Sequence, residues 1–165
     1  MPRGKVLNVV VAGLGGQGVI KASDILADAA FRAGFDVKKA EIHGMSQRGG
    51  SVTSDVRFGE AVLSPMIPPG EADFLLVLEP SEVSVSRPLL APHGVLIPPD
   101  AVPEEELPNK RSLNVALLGV LAARLDIPER YFREAIRAAL PERLHAVNDA
   151  AFRLGQRQPV PRPGG

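Results

Sequence analysis

Two glycine-rich segments carry the residues of this chain that are best suited to chemistry. The first is the octapeptide His43–Gly50, which reads HGMSQRGG. Its polar members are His43, Ser46, Gln47 and Arg48, and its glycines are Gly44, Gly49 and Gly50. Because glycine has no Cβ, such a backbone can approach an anion or another polypeptide closely. The octapeptide is therefore predicted to be a binding loop.

The second segment, GLGGQG, directly follows the apolar run from Val6 to Ala12. A strand, a G-x-G-x-x-G turn and a helix in that order bring backbone N–H groups and the helix dipole toward a phosphate. Glu41 stands near the end of the next strand, about where a dinucleotide fold holds its ribose-binding acid. The candidate binding residues of this part of the chain are Gly13, Gly15, Gly16, Gln17, Gly18 and Glu41. The same glycines also suit a tight turn with close helix–sheet packing, so both interpretations stay open.

A stand-alone nicotinamide site is the less favoured of the cofactor interpretations. After Glu41 the chain enters the octapeptide and a strand pattern rather than the helix of a dinucleotide fold. No later segment offers a recognisable acid–base pair for hydride transfer.

Composition excludes several classes of function. The 165 residues suffice for one domain, and equal numbers of acidic and basic residues argue against a nucleic-acid-binding protein. Without cysteine the chain cannot hold an iron–sulfur cluster through thiolates, and three separated histidines make a zinc site improbable, so no metal ligands are assigned. The apolar run near the start is too short for a signal peptide or a membrane span. We expect a cytoplasmic protein that binds neither membrane nor nucleic acid.

The order of apolar patterns predicts a single-domain, Rossmann-like α/β/α sandwich with three layers and a mostly parallel, mixed sheet. Residues 51–58 alternate with period two, and a turn at Gly59 leads to a predicted partner strand, Ala61–Leu63. A helix is predicted after the GLGGQG segment, closed by Gly34 as a C-cap, and another from residue 80 or 81 toward Leu90. Further helices are predicted from an N-cap at Ser112 to Leu125, from Pro128, and up to a C-cap at Gly155. The domain is assigned to residues 1–155, and residues 156–165, rich in proline and glycine, are expected to be disordered.

The two motifs in this order resemble the gamma-type subunit or domain of 2-oxoacid:ferredoxin oxidoreductases. The sequence HGMSQRGG of the octapeptide is most similar to that of the indolepyruvate type. The resemblance continues through Ser64-Pro65, Ala72-Asp73, Asn114, Leu118-Gly119 and Asn148 to Gly155, and so covers most of the chain.

The resemblance implies a subunit that is inactive alone. Enzymes of this family use thiamine diphosphate with magnesium, iron–sulfur clusters and coenzyme A, and pass electrons to ferredoxin. The present chain has no cluster-binding cysteine and no Gly-Asp-Gly segment leading to a magnesium-binding Asn, so these cofactors are expected on a larger alpha-type subunit. The candidate catalytic residues are His43 and Arg48. Arg48 would contact a partner carboxylate or a phosphate of coenzyme A, or else form an internal salt bridge to Glu41 or Asp55. A stand-alone nucleotide-binding domain and a purely structural assembly subunit remain the alternatives.

Overall fold

A five-stranded mixed sheet forms the centre of the computed structural model, which describes residues 4–43 and 50–164. The strands are β1 (Leu7–Leu14), β2 (Asp36–His43), β3 (Ser51–Gly59), β4 (Ala72–Val77) and β5 (Leu90–Ile97), in the spatial order β2-β3-β1-β4-β5. β1 pairs in parallel with β4, and β4 with β5, whereas β3 is antiparallel to both of its neighbours. Four strands therefore share one direction, and the predicted mixed, mostly parallel sheet is confirmed.

Alternate side chains of β1 face two different cores. Val9 and Val11 pack with the helices in the larger core, whereas Val10 and Ala12 belong to a smaller core on the opposite face. The larger core lies under α1 (Val19–Arg32), α3 (Leu113–Ala122), α4 (Glu129–Ala139) and α5 (His145–Gln156). The opposite face is covered by the short α2 (Glu82–Ser86), the 3-10 turn Arg87–Leu89 and residues around Ile67. The third layer of the sandwich is thus thin.

The predicted end of α1 at Gly34 is confirmed. Gly34 has a φ of 96°, and its N–H donates to the Phe31 carbonyl while the Phe35 N–H donates to the Ala30 carbonyl. This pair of bonds is a Schellman motif, which favours glycine because the left-handed conformation disfavours a Cβ.

The predicted partner strand at Ala61–Leu63 is wrong. β3 already pairs with β2 on one side and with β1 on the other, so it has no free edge for a third strand. The segment after Gly59 instead crosses the thin face without regular structure. The Arg57 guanidinium donates to the Ser64 and Met66 carbonyls, and the Asp55 carboxylate accepts the Ile67 N–H at 3.0 Å.

Three helix boundaries also differ from the prediction. The helix predicted toward Leu90 stops at Ser86, because Pro88 has no N–H and cannot extend an α-helix. α3 begins after Ser112 as predicted, although the Ser112 hydroxyl donates to the Asn109 carbonyl instead of capping the helix, but α3 ends at Ala122 rather than at Leu125. Gly155 lies inside α5 rather than after it, and a Cβ there would stand 1.8 Å from the Ala116 carbonyl oxygen.

The segment beyond α5 contacts the body of the protein. Val160 packs against the larger core, and the Gly164 N–H donates to the Gly94 carbonyl at 3.2 Å beside β5. The expected disorder of residues 156–165 in solution stays a prediction.

Candidate functional site

One edge of the sheet collects the predicted binding segments. The carboxyl ends of β1, β2, β4 and β5 and the start of β3 all lie there, because β3 alone runs in the opposite direction. The glycine turn begins within the last two residues of β1, Gly13 and Leu14, and the octapeptide connects β2 to β3. The Gly15 N–H donates to the Gly50 carbonyl at 3.0 Å, so the two segments meet at their bases. In open α/β sheets, ligands bind at this edge.

Gly44, Ser46, Gln47, Arg48 and Gly49 lie outside the described residues, as does the side chain of His43. The backbone of His43 ends β2 opposite Val52 of β3. This register makes the octapeptide the connection between two antiparallel neighbours, β2 and β3.

The side chain of Gln17 crosslinks the glycine turn through two hydrogen bonds, an arrangement called here the Gln17 staple. Its Oε1 accepts the Leu14 N–H at 2.7 Å, and its Nε2 donates to the Glu79 carboxylate at 2.7 Å. The side chain thereby ties the end of β1 to the residues that follow β4. Both polar ends of the amide are occupied within the chain, so the structure gives Gln17 a positioning role.

Gly13 and Gly18 are sites of close packing. A Cβ on Gly13 would lie 2.9 Å from a methyl group of Val19 and 3.2 Å from the Leu78 Cβ. Gly18 has a φ of 86°, and a Cβ there would stand 2.5 Å from Nδ2 of Asn114. That Nδ2 donates to the Gly18 carbonyl at 3.2 Å, which links the starts of α1 and α3.

Gly16 differs from these two glycines, because it has a φ of 87° and nothing within 4 Å of the position of a Cβ. Its backbone is therefore open to an approaching group. The glycine turn combines both predicted roles: packing at Gly13 and Gly18, and an accessible backbone at Gly16.

A basic groove runs beside the turn. Its cavity of about 620 Å³ is lined by Gly16, Gln17, Gly18, Lys21, Leu78, Lys110, Arg111, Leu113 and Asn114. Lys21 donates to the Ala139 carbonyl at 3.1 Å, and Lys110 lies 3.5 Å from Glu104. Sequence reasoning missed this cluster, since Lys21 and the Lys110-Arg111 pair come together only through the contact between α1 and α3. Asn114 was detectable as a polar residue within the apolar run of α3.

Two carboxylates after β4 complete this edge of the sheet. Glu79 accepts from Gln17, while Glu82 is buried and accepts the Ser51 hydroxyl at 2.9 Å. Ser51 is the first residue of β3 and directly follows the octapeptide. Glu82 therefore fixes the end of the predicted binding loop, a role that no local sequence pattern indicated.

Glu41 is separated from the glycine turn by a whole strand. β3 lies between β2 and β1, and strands are spaced about 4.8 Å apart, so β2 is roughly 10 Å from β1. In a dinucleotide fold the acid-bearing strand is the direct neighbour of β1. The Glu41 carboxylate instead accepts from Lys39, which also pairs with Asp24. Burial lowers the pKa of Lys39, but its hydrogen bonds to Asp24 and Glu41 outweigh that effect, and the pKa is raised.

The described residues do not provide a metal centre. No group of three or more His, Asp or Glu side chains in residues 4–42 and 50–164 is arranged to hold an ion. The described helices also include none that is long and apolar enough to span a bilayer. The donor set does not fit an iron–sulfur cluster, because the sequence has no cysteine.

Comparison with known proteins decides the family. Residues 8–108 match the family described as pyruvate ferredoxin/flavodoxin oxidoreductase. The chain belongs to the pyruvate ferredoxin/flavodoxin oxidoreductase family. The matched region contains the glycine turn, the octapeptide, Glu79 and Glu82, whereas Lys110, Arg111 and Asn114 of the basic groove lie beyond it.

Family relatives resemble the chain over nearly its whole length. Indolepyruvate oxidoreductase subunit IorB of Thermococcus kodakarensis is 35% identical, over 92% of this chain and 95% of that protein. Among solved structures, the gamma subunit of a keto/oxoacid ferredoxin oxidoreductase from Geobacter sulfurreducens has a TM-score of 0.77 at 22% identity, covering 93% of this chain and 96% of that one. A 2-oxoglutarate:ferredoxin oxidoreductase from Magnetococcus marinus has a TM-score of 0.80 at 22% identity, over 96% of this chain and 33% of the other. The two structures share the fold, and this chain spans about a third of the second one.

Proposed function

We propose that this chain is the small, gamma-type subunit of a 2-oxoacid:ferredoxin oxidoreductase that acts on indolepyruvate or a related arylpyruvate. The observation that carries the proposal is the 35% identity to an indolepyruvate oxidoreductase subunit over nearly the full length of both chains. Pyruvate/ketoisovalerate gamma subunits are 28% identical over 85% of this chain, 32% over 70% or 39% over 42%, and a 2-oxoglutarate relative is 28% identical over 94%. Each of these matches less of the chain or matches it less closely than the indolepyruvate relative does, which supports the indolepyruvate type.

The cofactor chemistry belongs to a larger alpha-type subunit. The sequence has no cysteine for a cluster, and the described residues contain no group of metal ligands. Thiamine diphosphate with magnesium, iron–sulfur clusters and coenzyme A are therefore assigned to the complex, and ferredoxin contacts this chain only indirectly. The complex is assigned to the cytoplasm, without nucleic acid or membrane as a partner.

The role of this chain is to complete the active site or the coenzyme A interface of the larger subunit. The octapeptide and the glycine turn meet at one edge of the sheet, where Gly16 leaves its backbone accessible. Gln17 and Glu82 are buried or half-buried braces that hold the bases of the two segments. Such bracing suits a loop that must present a fixed arrangement of donors to another surface.

Purification of the tagged chain, expressed together with its larger subunit, tests the proposal. The expected result is a stoichiometric complex whose absorption spectrum shows iron–sulfur clusters. If the chain purifies alone under these conditions, the proposal is wrong.

Calorimetric titration of the isolated chain with NADH tests the alternative that the chain is a nucleotide-binding domain acting alone. The placement of Glu41 on β2, with β3 between it and the glycine turn, speaks against that alternative. We expect no heat of binding, whereas saturable binding would favour a nucleotide-dependent domain acting alone.

A further inference from the structure

A large cavity next to the basic groove has no role in the proposed function. It has a volume of about 820 Å³ and lies at the carboxyl ends of β4 and β5. Six aliphatic residues line it: Leu78, Val83, Leu96, Val102, Leu107 and Leu113. This volume falls within the range of about 300–1,000 Å³ that is typical of binding pockets.

Proline provides much of the remaining wall. Pro80, Pro98, Pro99 and Pro103 line the cavity and have no N–H group to donate. Most of the wall is therefore apolar, and its two cations, Arg87 and Lys110, already have interactions within the chain. An apolar occupant suits it better than a phosphate or a carboxylate does.

Carboxylates mark the mouth of the cavity. Asp100, Glu104 and Glu105 line it and are exposed. Lys110 offsets Glu104 in an exposed pair at 3.5 Å, and Arg87, which also lines the cavity, has an interaction of its own. Neither Asp100 nor Glu105 forms an ion pair with another described residue. Two carboxylates at the mouth thus remain available to an incoming cation.

The surrounding sequence extends this acidic character. Residues 100–106, which include the three carboxylates at the mouth, contain four acidic residues and no basic one, although the chain as a whole has no net charge. Such a separation of charge creates a field that steers a basic partner toward one face and repels an acidic one.

We propose that this cavity docks a segment of the larger subunit in which an apolar anchor side chain is flanked by lysine or arginine. The anchor enters the apolar cavity, and the flanking cations face Asp100 and Glu105 at its mouth. Anchors of this kind, seated in a desolvated pocket, commonly dominate the affinity of an interface. The identity of the occupant as part of the larger subunit rests on the proposed function, whereas the preference for a basic, apolar segment rests on the cavity alone.

Peptide binding tests that preference directly. The chain contains no tryptophan, so the fluorescence of a tryptophan peptide can be followed without background. The amidated peptide Lys-Lys-Trp-Lys-Lys is expected to bind saturably at low salt with a blue-shifted emission, and Glu-Glu-Trp-Glu-Glu is expected not to bind. Equal binding of the two peptides, or no saturable binding of the basic one, would overturn the proposal.

Charge reversal locates the site in the complex. The double variant Asp100→Lys/Glu105→Lys is expected to weaken both the basic peptide and the association with the larger subunit by about tenfold or more. The matched control Glu60→Lys/Glu142→Lys makes the same change of charge on exposed residues outside the cavity and should leave both unchanged. If the wild-type complex forms and the Asp100/Glu105 variant associates equally well, the inference is wrong while the proposed function stands. If the wild-type chain does not associate at all, the proposed function fails, and the peptide result still decides whether the cavity selects basic segments.

Discussion

Gln17 donates from Nε2 to the Glu79 carboxylate at 2.7 Å, while its Oε1 accepts the Leu14 N–H at the same distance. Gln17 was a candidate binding residue of the glycine turn, but its side chain instead connects the end of β1 to the residue Glu79 that follows β4. The turn is held in shape before any partner arrives, which makes it a preformed surface rather than an adaptable loop.

Removing the staple should destabilise the fold. Gln17→Ala leaves the half-buried Leu14 N–H without its acceptor, and we expect a loss of about 1–3 kcal/mol in the free energy of unfolding. Glu79→Gln keeps a carbonyl acceptor for Gln17 and should cost less than about 1 kcal/mol. Urea unfolding followed by circular dichroism measures both, and equal losses in the two variants would contradict the staple.

The contact between α3 and α5 predicts a severe effect at Gly155. A Cβ at this position would stand 1.8 Å from the Ala116 carbonyl oxygen, so Gly155→Ala must push the two helices apart. We expect a loss of at least about 3 kcal/mol, or insoluble protein. Gly34→Ala is the matched control, because Gly34 has a φ of 96° but open space around it, and should cost about 1 kcal/mol. A smaller loss for Gly155→Ala than for Gly34→Ala would contradict the described packing.

Asp55 should make the folded protein more stable at acidic pH than at neutral pH, the reverse of the usual effect of a carboxylate. Burial raises the pKa of this carboxyl above its ordinary value of 3.8, although the Ile67 N–H and the charge of Arg57 act in the opposite direction. With a folded pKa above the unfolded one, the contribution of Asp55 to stability is fully present below pH 3.8 and is lost as the pH rises through the folded pKa.

The substitution Asp55→Asn should therefore remove this dependence while keeping an acceptor for Ile67. At neutral pH we expect the variant to be at least as stable as the wild type, whereas Asp55→Ala should lose about 1–3 kcal/mol because the Ile67 N–H is left unpaired. Thermal melts between pH 3.5 and pH 7 check both variants. If Asp55→Asn is as destabilising at pH 7 as Asp55→Ala, the ionised carboxylate itself is required.

Arg48 of the octapeptide should matter for turnover rather than for assembly. A charge-assisted contact with a ligand contributes about 1.5–3 kcal/mol, so Arg48→Ala in the complex is expected to lower the turnover rate about ten- to hundredfold. The exposed Arg124→Ala is the matched control and should leave the rate unchanged. Full activity of an intact Arg48→Ala complex would favour a purely structural subunit.

The elements with strong local signals were predictable from the sequence. At β1, at the glycine turn and at the end of α1, an apolar run or stripe is followed at once by glycine, which favours a turn or a C-cap. The sheet order was not, because the position of β3 between β2 and β1 depends on long-range pairing. This order explains why the predicted strand Ala61–Leu63 does not form: both edges of β3 are taken.

Site residues that belong to a contiguous motif were predictable, whereas those that depend on distant partners were not. Gly13, Gly16 and Gly18 were identifiable because the G-x-G-x-x-G pattern is contiguous. The braces Glu79, Glu82 and Asn114 were not assigned to the site, since each meets its partner across many residues of chain. The distinction between glycines that pack and a glycine that stays open likewise depends on neighbours such as Leu78, which only the fold brings close.

We predict that this chain is inactive on its own and essential in its complex. Indolepyruvate-dependent reduction of ferredoxin, measured for the isolated chain, for the larger subunit alone and for the two together, tests it most directly. We predict turnover only when both subunits are present. Turnover by the isolated chain, or full turnover by the larger subunit without it, would contradict this account.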